Sequence, residues 1–222
     1  MRKFLRDNGL SLAMFGLFFA FVIGLAVTGW ANTNNDNAEH GEAAVSFGQY
    51  LLSGDFGEAL FENWESEFLQ MAGMVVLTAL LVQKGSPESR MLGRNPVDRE
   101  PPKDGDRSKR EAPWPVRAGG IWLKLYEHSL TIALVLLFVL SFSLHVVTGA
   151  AAYSEEQQAH GEPAVSALQY LASARFWFES FQNWQSEFLA VGSLIVLTIF
   201  LRQRGSPESK PVDESNEKTG SG

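Results

Sequence analysis

The sequence predicts an all-α, multi-pass membrane protein with four transmembrane helices, arranged as two tandem two-helix repeats with short amphipathic outer helices. Three observations predict it. The apolar residues, 45% of the 222, gather into four blocks instead of being dispersed. The chain aligns with itself without gaps at an offset of about 120 residues, 8–90 against 128–210, with about 36 of about 83 positions identical. Lys and Arg are concentrated in segments that alternate with acidic ones from block to block.

A bilayer core of roughly 30 Å takes about 17 to 25 helical residues to cross. Residues 10–30 carry no charge, and 130–150 match them with His145 inside, so both read as full spans. The other two blocks, 68–82 and 188–201, cover only roughly 22 Å at 1.5 Å per residue. To cross, they recruit their polar flanks, giving spans at 64–83 and 184–202. The first block also resembles a secretory leader, with Arg2, Lys3 and Arg6 ahead of it and a small-residue site near 29–31. It is longer than a typical leader core, and its internal counterpart begins a second unit, which favours retention. The organisation expected is therefore a first membrane repeat at 1–90, a linker at 91–120, a second repeat at 121–209 and a tail at 210–222.

A unit with an even number of spans enters and leaves on one side, so the two copies share an orientation. Residues 31–67 contain no Lys or Arg, and 153–187 contain only Arg175. The N-terminus, the region 84–124 and the tail hold nearly all the rest. Basic loops stay in the cytoplasm, which places both termini there and the acidic segments outside a cell membrane. The Pro-, Gly- and charge-rich linker and the tail have little to bury and read as disordered. The linker's basic residues suit anionic lipid as well as free solution. With no cysteine in the chain, disulfides, Cys-based zinc sites and thiol chemistry are excluded.

Each outer segment carries a capping signature, Ser46 with Gln49 and Ser166 with Gln169, that should start a short helix. An aromatic stripe follows, Phe56, Leu60, Trp64 and Phe68 in one copy and Phe176, Trp184 and Phe188 in the other. It suits a helix lying in the headgroup zone and turning near Asn63 into the short span, with Trp64 and Trp184 as interface anchors.

The candidate ionisable site is Glu67, Glu187 and His145. Glu67 falls about 25 Å up the helix from Lys84, near the outer edge of the hydrocarbon, and Glu187 repeats it. Asn63, Glu67 and Thr78 share a helical stripe, kept as Asn183, Glu187 and Thr198, that should face the interior. His145 lies at matching depth, and a contact with either glutamate would satisfy both groups; the first copy has Leu25 there. The simpler readings are a carboxylate reaching interfacial water and a structural histidine hydrogen bond. His40, Glu42, His160 and Glu162, from the twin His-Gly-Glu motifs, make an adequate ligand set for a divalent metal. Their spacing does not demand one, and loop hydrogen bonding explains them equally. Residues 85–89 and 205–209, Gly-Ser-Pro-Glu-Ser, read as helix stops. Haem held by two histidines is disfavoured, because His145 is the one histidine inside a span. No cofactor and no nucleic acid is expected; the partners are the bilayer and, as an alternative, a second copy.

The motifs HGE, NWESEFLQ and GSPES resemble a bacterial family of small membrane proteins known as a domain of unknown function. The resemblance covers nearly the whole chain outside linker and tail. It implies residence in a bacterial cell membrane and carries no catalytic residues. The expected role is a non-enzymatic one in membrane or envelope binding, the alternative a small proton- or cation-linked transporter or channel.

Overall fold

The computed structural model describes residues 2–89 and 112–220, and among them there are helices and turns but no strand. The helices are α1 (Arg2–Asp7), α2 (Gly9–His40), α3 (Phe47–Leu51), α4 (Gly54–Leu80), α5 (Trp114–Ala118), α6 (Gly120–Glu127), α7 (Ser129–Ala159), α8 (Ala167–Leu171) and α9 (Ala174–Phe200). Among the described residues, α2, α7 and α9 are long and apolar enough to cross a membrane. The α4 helix matches α9 in length, 27 residues each. Asp55, Glu58, Glu62, Glu65 and Glu67 make its first half polar.

At 32 residues α2 is about 48 Å long, so it outlasts its apolar core by some ten residues, and α7 does the same. Both stop at the His-Gly-Glu motif. Gly41 adopts φ 73° and Gly161 φ 80°, a left-handed turn that costs glycine nothing. The amides of Glu42 and Glu162 then donate back to the carbonyls of Asn37 and Gln157, at 2.7 and 2.9 Å. The chain folds back along the helix it has just left. Asn34 exchanges two hydrogen bonds with the backbone of Val45, and Ser154 does the same for Val165. Both predicted capping boxes are present, each Ser accepting from the N3 amide while the Gln side chain returns to the cap amide.

The expected bend near Asn63 does not occur. α4 and α9 run unbroken from the outer turn to Leu80 and Phe200. Residues 58–72 contain neither Pro nor Gly, so nothing interrupts the hydrogen-bond ladder. The amphipathic segment and the apolar segment are one helix.

By internal packing the chain divides into two units, Met1–Phe61 with Leu144–Ser173, and Glu62–Ser143 with Ala174–Gly222. In the first unit, small residues set the helix spacing. A methyl added to Gly54 would lie 2.4 Å from the backbone nitrogen of Ala152, and one on Gly57 would lie 2.5 Å from Thr148 Cγ2. The start of α4 therefore rests directly on the α7 backbone, as small residues permit between apolar helices. Tyr50 packs over Gly29, and Tyr170 over Gly149. Both tyrosines are buried.

The second unit has an aromatic core. Phe138 and Phe142 of α7 meet Trp184 and Phe176 of α9, with ring centroids 6.3 and 5.3 Å apart. Of the linker predicted at 91–120, residues up to 111 lie outside those described. Its end is helical rather than disordered: Pro115 sits in the first turn of α5, and the Trp114 and Trp122 rings are 5.5 Å apart across Gly119. An apolar α6, with Leu123 buried, gives that end something to pack.

Gly54→Val should destabilise the protein by about 1–3 kcal/mol, the usual cost of overpacking. Gly48→Ala, in open space within α3, should be neutral or add up to about 1 kcal/mol through helix propensity. Thermal unfolding in detergent checks both, and a Gly54→Val protein as stable as the parent would contradict the close contact.

Candidate functional site

The polar cluster of the first unit is built on the glycine contact. With Gly57 against Thr148, the next residue of α4, Glu58, comes level with the turn of α7 that carries His145. A carboxylate oxygen of Glu58 and a ring nitrogen of His145 lie within 4.8 Å of each other. The Tyr170 hydroxyl donates to Glu58 Oε1 at 2.9 Å. The Tyr170 ring stands edge-on to the His145 ring, centroids 6.3 Å apart. His145 and Tyr170 are fully buried. This is a half-buried carboxylate beside a buried imidazole and a buried phenol, a set able to share or bind a proton.

The second unit continues the acidic face of α4. Glu62 accepts from the Asn183 amide. Glu65, fully buried, accepts from the indole N–H of Trp184 at 2.9 Å. Glu58, Glu62 and Glu65 are spaced by four and three, so they lie on one helical face. Each receives a hydrogen bond from a neutral donor in the second half of the chain.

The predicted residues fall differently. His145 is fully buried, and the carboxylate near it within its own unit is Glu58. The stripe expected to face inward does so in the second copy, where Thr198 is buried and Asn183 and Glu187 are half-buried, but not in the first, where Asn63 and Glu67 are exposed while Glu65 and Ser66 are covered. The interior face of α4 is rotated from the expected one because donors await Glu62 and Glu65 on α9. Glu67 and Glu187 stand close enough for their charges to interact. Trp184 is drawn into the aromatic packing, its ring beside Phe181, Trp177 and Phe138, and Trp64 is half-buried. His40 and His160 sit at helix ends, each Nδ1 within 2.9 Å of the carbonyl four residues earlier, and Glu42 and Glu162 contribute their amides to the same stop. The motif is thereby accounted for as a helix terminator.

Two further loops lie in the second unit. In 83–89 the Gln83 amide donates to Ser89 Oγ at 2.9 Å, and the Glu88 amide donates to Ser86 Oγ at 3.2 Å, around Gly85 at φ 86°. Residues 203–209 repeat this with Gln203 to Ser209 at 2.9 Å and Glu208 to Ser206 at 3.1 Å. The tail, whose composition reads as disordered, follows a turn-rich path. Lys210, buried, donates to the carbonyls of Ser215, Asn216 and Lys218. Arg202 donates to the carbonyls of Pro211 and Glu214 and to Asn216 Oδ1. The path ends on the first loop, with Thr219 Oγ1 accepting from the Gly85 amide and the Gly220 amide donating to the Ser86 carbonyl. Burial, then the charge of Glu208 and a hydrogen bond with it, push the Glu88 carboxyl above the usual carboxylate range.

A family described as a domain of unknown function (DUF6766) matches residues 1–221. Neither a curated protein nor a solved structure matches the chain.

A carboxyl whose pKa is raised on folding binds its proton more tightly in the folded chain. Stability therefore falls as pH rises from the unfolded value through the raised one, and returns on acidification. Glu88→Gln should raise the thermal midpoint at about pH 7.5 and flatten the change between about pH 7.5 and 5. A variant less stable than the parent at the higher pH would contradict the strained carboxyl pair.

Proposed function

The chain belongs to this family of unknown function, and from that premise we propose a non-enzymatic protein of a bacterial cell membrane. It crosses four times as two tandem hairpins, α2 with α4 and α7 with α9, with both termini cytoplasmic. Its acidic outer segments face out and serve a binding or structural role in the membrane or envelope. The hydrogen bonding of Glu58, Glu62 and Glu65 carries this reading. Each carboxylate is engaged by a neutral donor, Tyr170, Asn183 or Trp184. Such pairing fixes helices against one another, which is what buried polar groups between apolar helices commonly do. The self-similarity of the two halves supports the fourth span, because α4 occupies the place that α9 occupies in the second half.

A second reading, a proton- or cation-linked transporter or channel, is favoured by one observation. Glu58 and His145 lie within 4.8 Å of one another and are joined by Tyr170 to a titratable set.

Reconstitution into liposomes carrying a pH-sensitive dye separates the two. The structural reading expects proton and monovalent-cation flux no greater than in empty liposomes. Flux above that level, abolished by Glu58→Gln or His145→Leu in a protein that still folds, would establish the transport reading instead.

A further inference from the structure

Two cavities at the ends of α4 and α9 recur at equivalent positions. Each measures about 260 Å³. In the first, Leu77, Leu81 and Val82 form an apolar wall and Ser86, Glu88 and Ser89 a polar floor. In the second, Leu197, Leu201 and Arg202 stand in the wall and Ser206, Glu208 and Ser209 in the floor. The recurrence follows from the repeat, whose shared apolar helix end and Gly-Ser-Pro-Glu-Ser loop present the same lining twice. The one change of chemical kind, Val82 to Arg202, adds no free donor, since that guanidinium is engaged by the tail carbonyls and Asn216.

We propose that each cavity binds one phospholipid with a primary-ammonium headgroup. The segregation of each lining suits an amphipath, with the chain against the leucines and the head toward the loop. A cavity of this size is smaller than sites for drug-sized ligands, roughly 300–1,000 Å³. It therefore takes the headgroup and the first part of a chain, and the rest continues along the outside of the helix, where Leu80 and Leu81 are exposed. Charge chooses the head. Each floor holds one carboxyl side chain, Glu88 in the first and Glu208 in the second, as its acidic, acceptor group. A primary ammonium answers with three N–H donors, whereas a trimethylated choline head has none. Lys84 and Arg204, exposed one residue before each motif glycine, give the lipid phosphate a cation in sequence reach.

The inference rests on the reading of α4 and α9 as spans whose ends meet one leaflet. The full chain, reconstituted in nanodiscs of equal phosphatidylethanolamine and phosphatidylcholine, is released for native mass spectrometry. One retained phosphatidylethanolamine per cavity is expected, with phosphatidylcholine retained at least tenfold less. Glu88→Gln with Glu208→Gln should bring the two lipids to the same low retention at unchanged helix content. Leu81→Trp and Leu201→Trp, which fill one cavity each, should each halve the count, and they decide the matter if the double variant fails to fold. Equal retention of the two lipids by the parent, or counts that the tryptophans leave unchanged, would overturn the proposal. Labelling of a single cysteine at position 89 from outside the cell would overturn the membrane placement while leaving the lipid count untouched.

Discussion

A carboxylate enclosed by apolar helices must find a donor or give up its charge, and that constraint organises this protein. Glu58, Glu62 and Glu65 run down one face of α4. Tyr170, Asn183 and Trp184, all from the second half of the chain, supply the donors. Each of these donors is neutral, so the hydrogen bond it supplies adds no charge of its own to desolvate. The first half provides acceptors and the second half donors, and in each packing unit the two are interlocked. Removing the glycines of α4 would undo the arrangement at its source, because Glu58 meets His145 and Tyr170 only where Gly54 and Gly57 let the α4 backbone lie on α7.

The two halves have diverged where this matters. Phe178 stands at the place equivalent to Glu58, Gln182 at that of Glu62, Gln185 at that of Glu65, and Leu25 at that of His145. What both halves retain is the framework: the Tyr over a helical Gly, the Ser and Gln of the capping box, the glycine of the outer stop and the serines of the inner loop. A framework set by backbone geometry tolerates little substitution. The face that joins the halves has become complementary instead of self-similar.

Much of this was legible in the sequence, and the reasons differ by element. The capping boxes and the His-Gly-Glu and Gly-Ser-Pro-Glu-Ser turns are local, so a few residues determine them. The long helices were legible from apolar length, but their polar extensions were not, because ten polar residues after an apolar core read equally as loop. The bend expected at Asn63 was inferred from a change in polarity, and polarity alone does not break a backbone ladder. Glu67 was chosen by depth along α4, whereas the buried face of a helix is set by what packs on it. Comparing the halves offered the missing signal: His145 and Glu58 are both positions where one half is ionisable and the other apolar, and these two side chains meet. The tail was read from composition, which gives no hint that Lys210 finds three carbonyls or that Thr219 reaches Gly85.

The interlocking of the halves is measured most directly by a double-mutant cycle on the buried pair, Glu65→Gln, Trp184→Phe and both together, followed by thermal unfolding in detergent. The account predicts a coupling energy of roughly 1–2 kcal/mol, as for a hydrogen bond to a charged group enclosed by helices. Strictly additive effects of the two substitutions would contradict it.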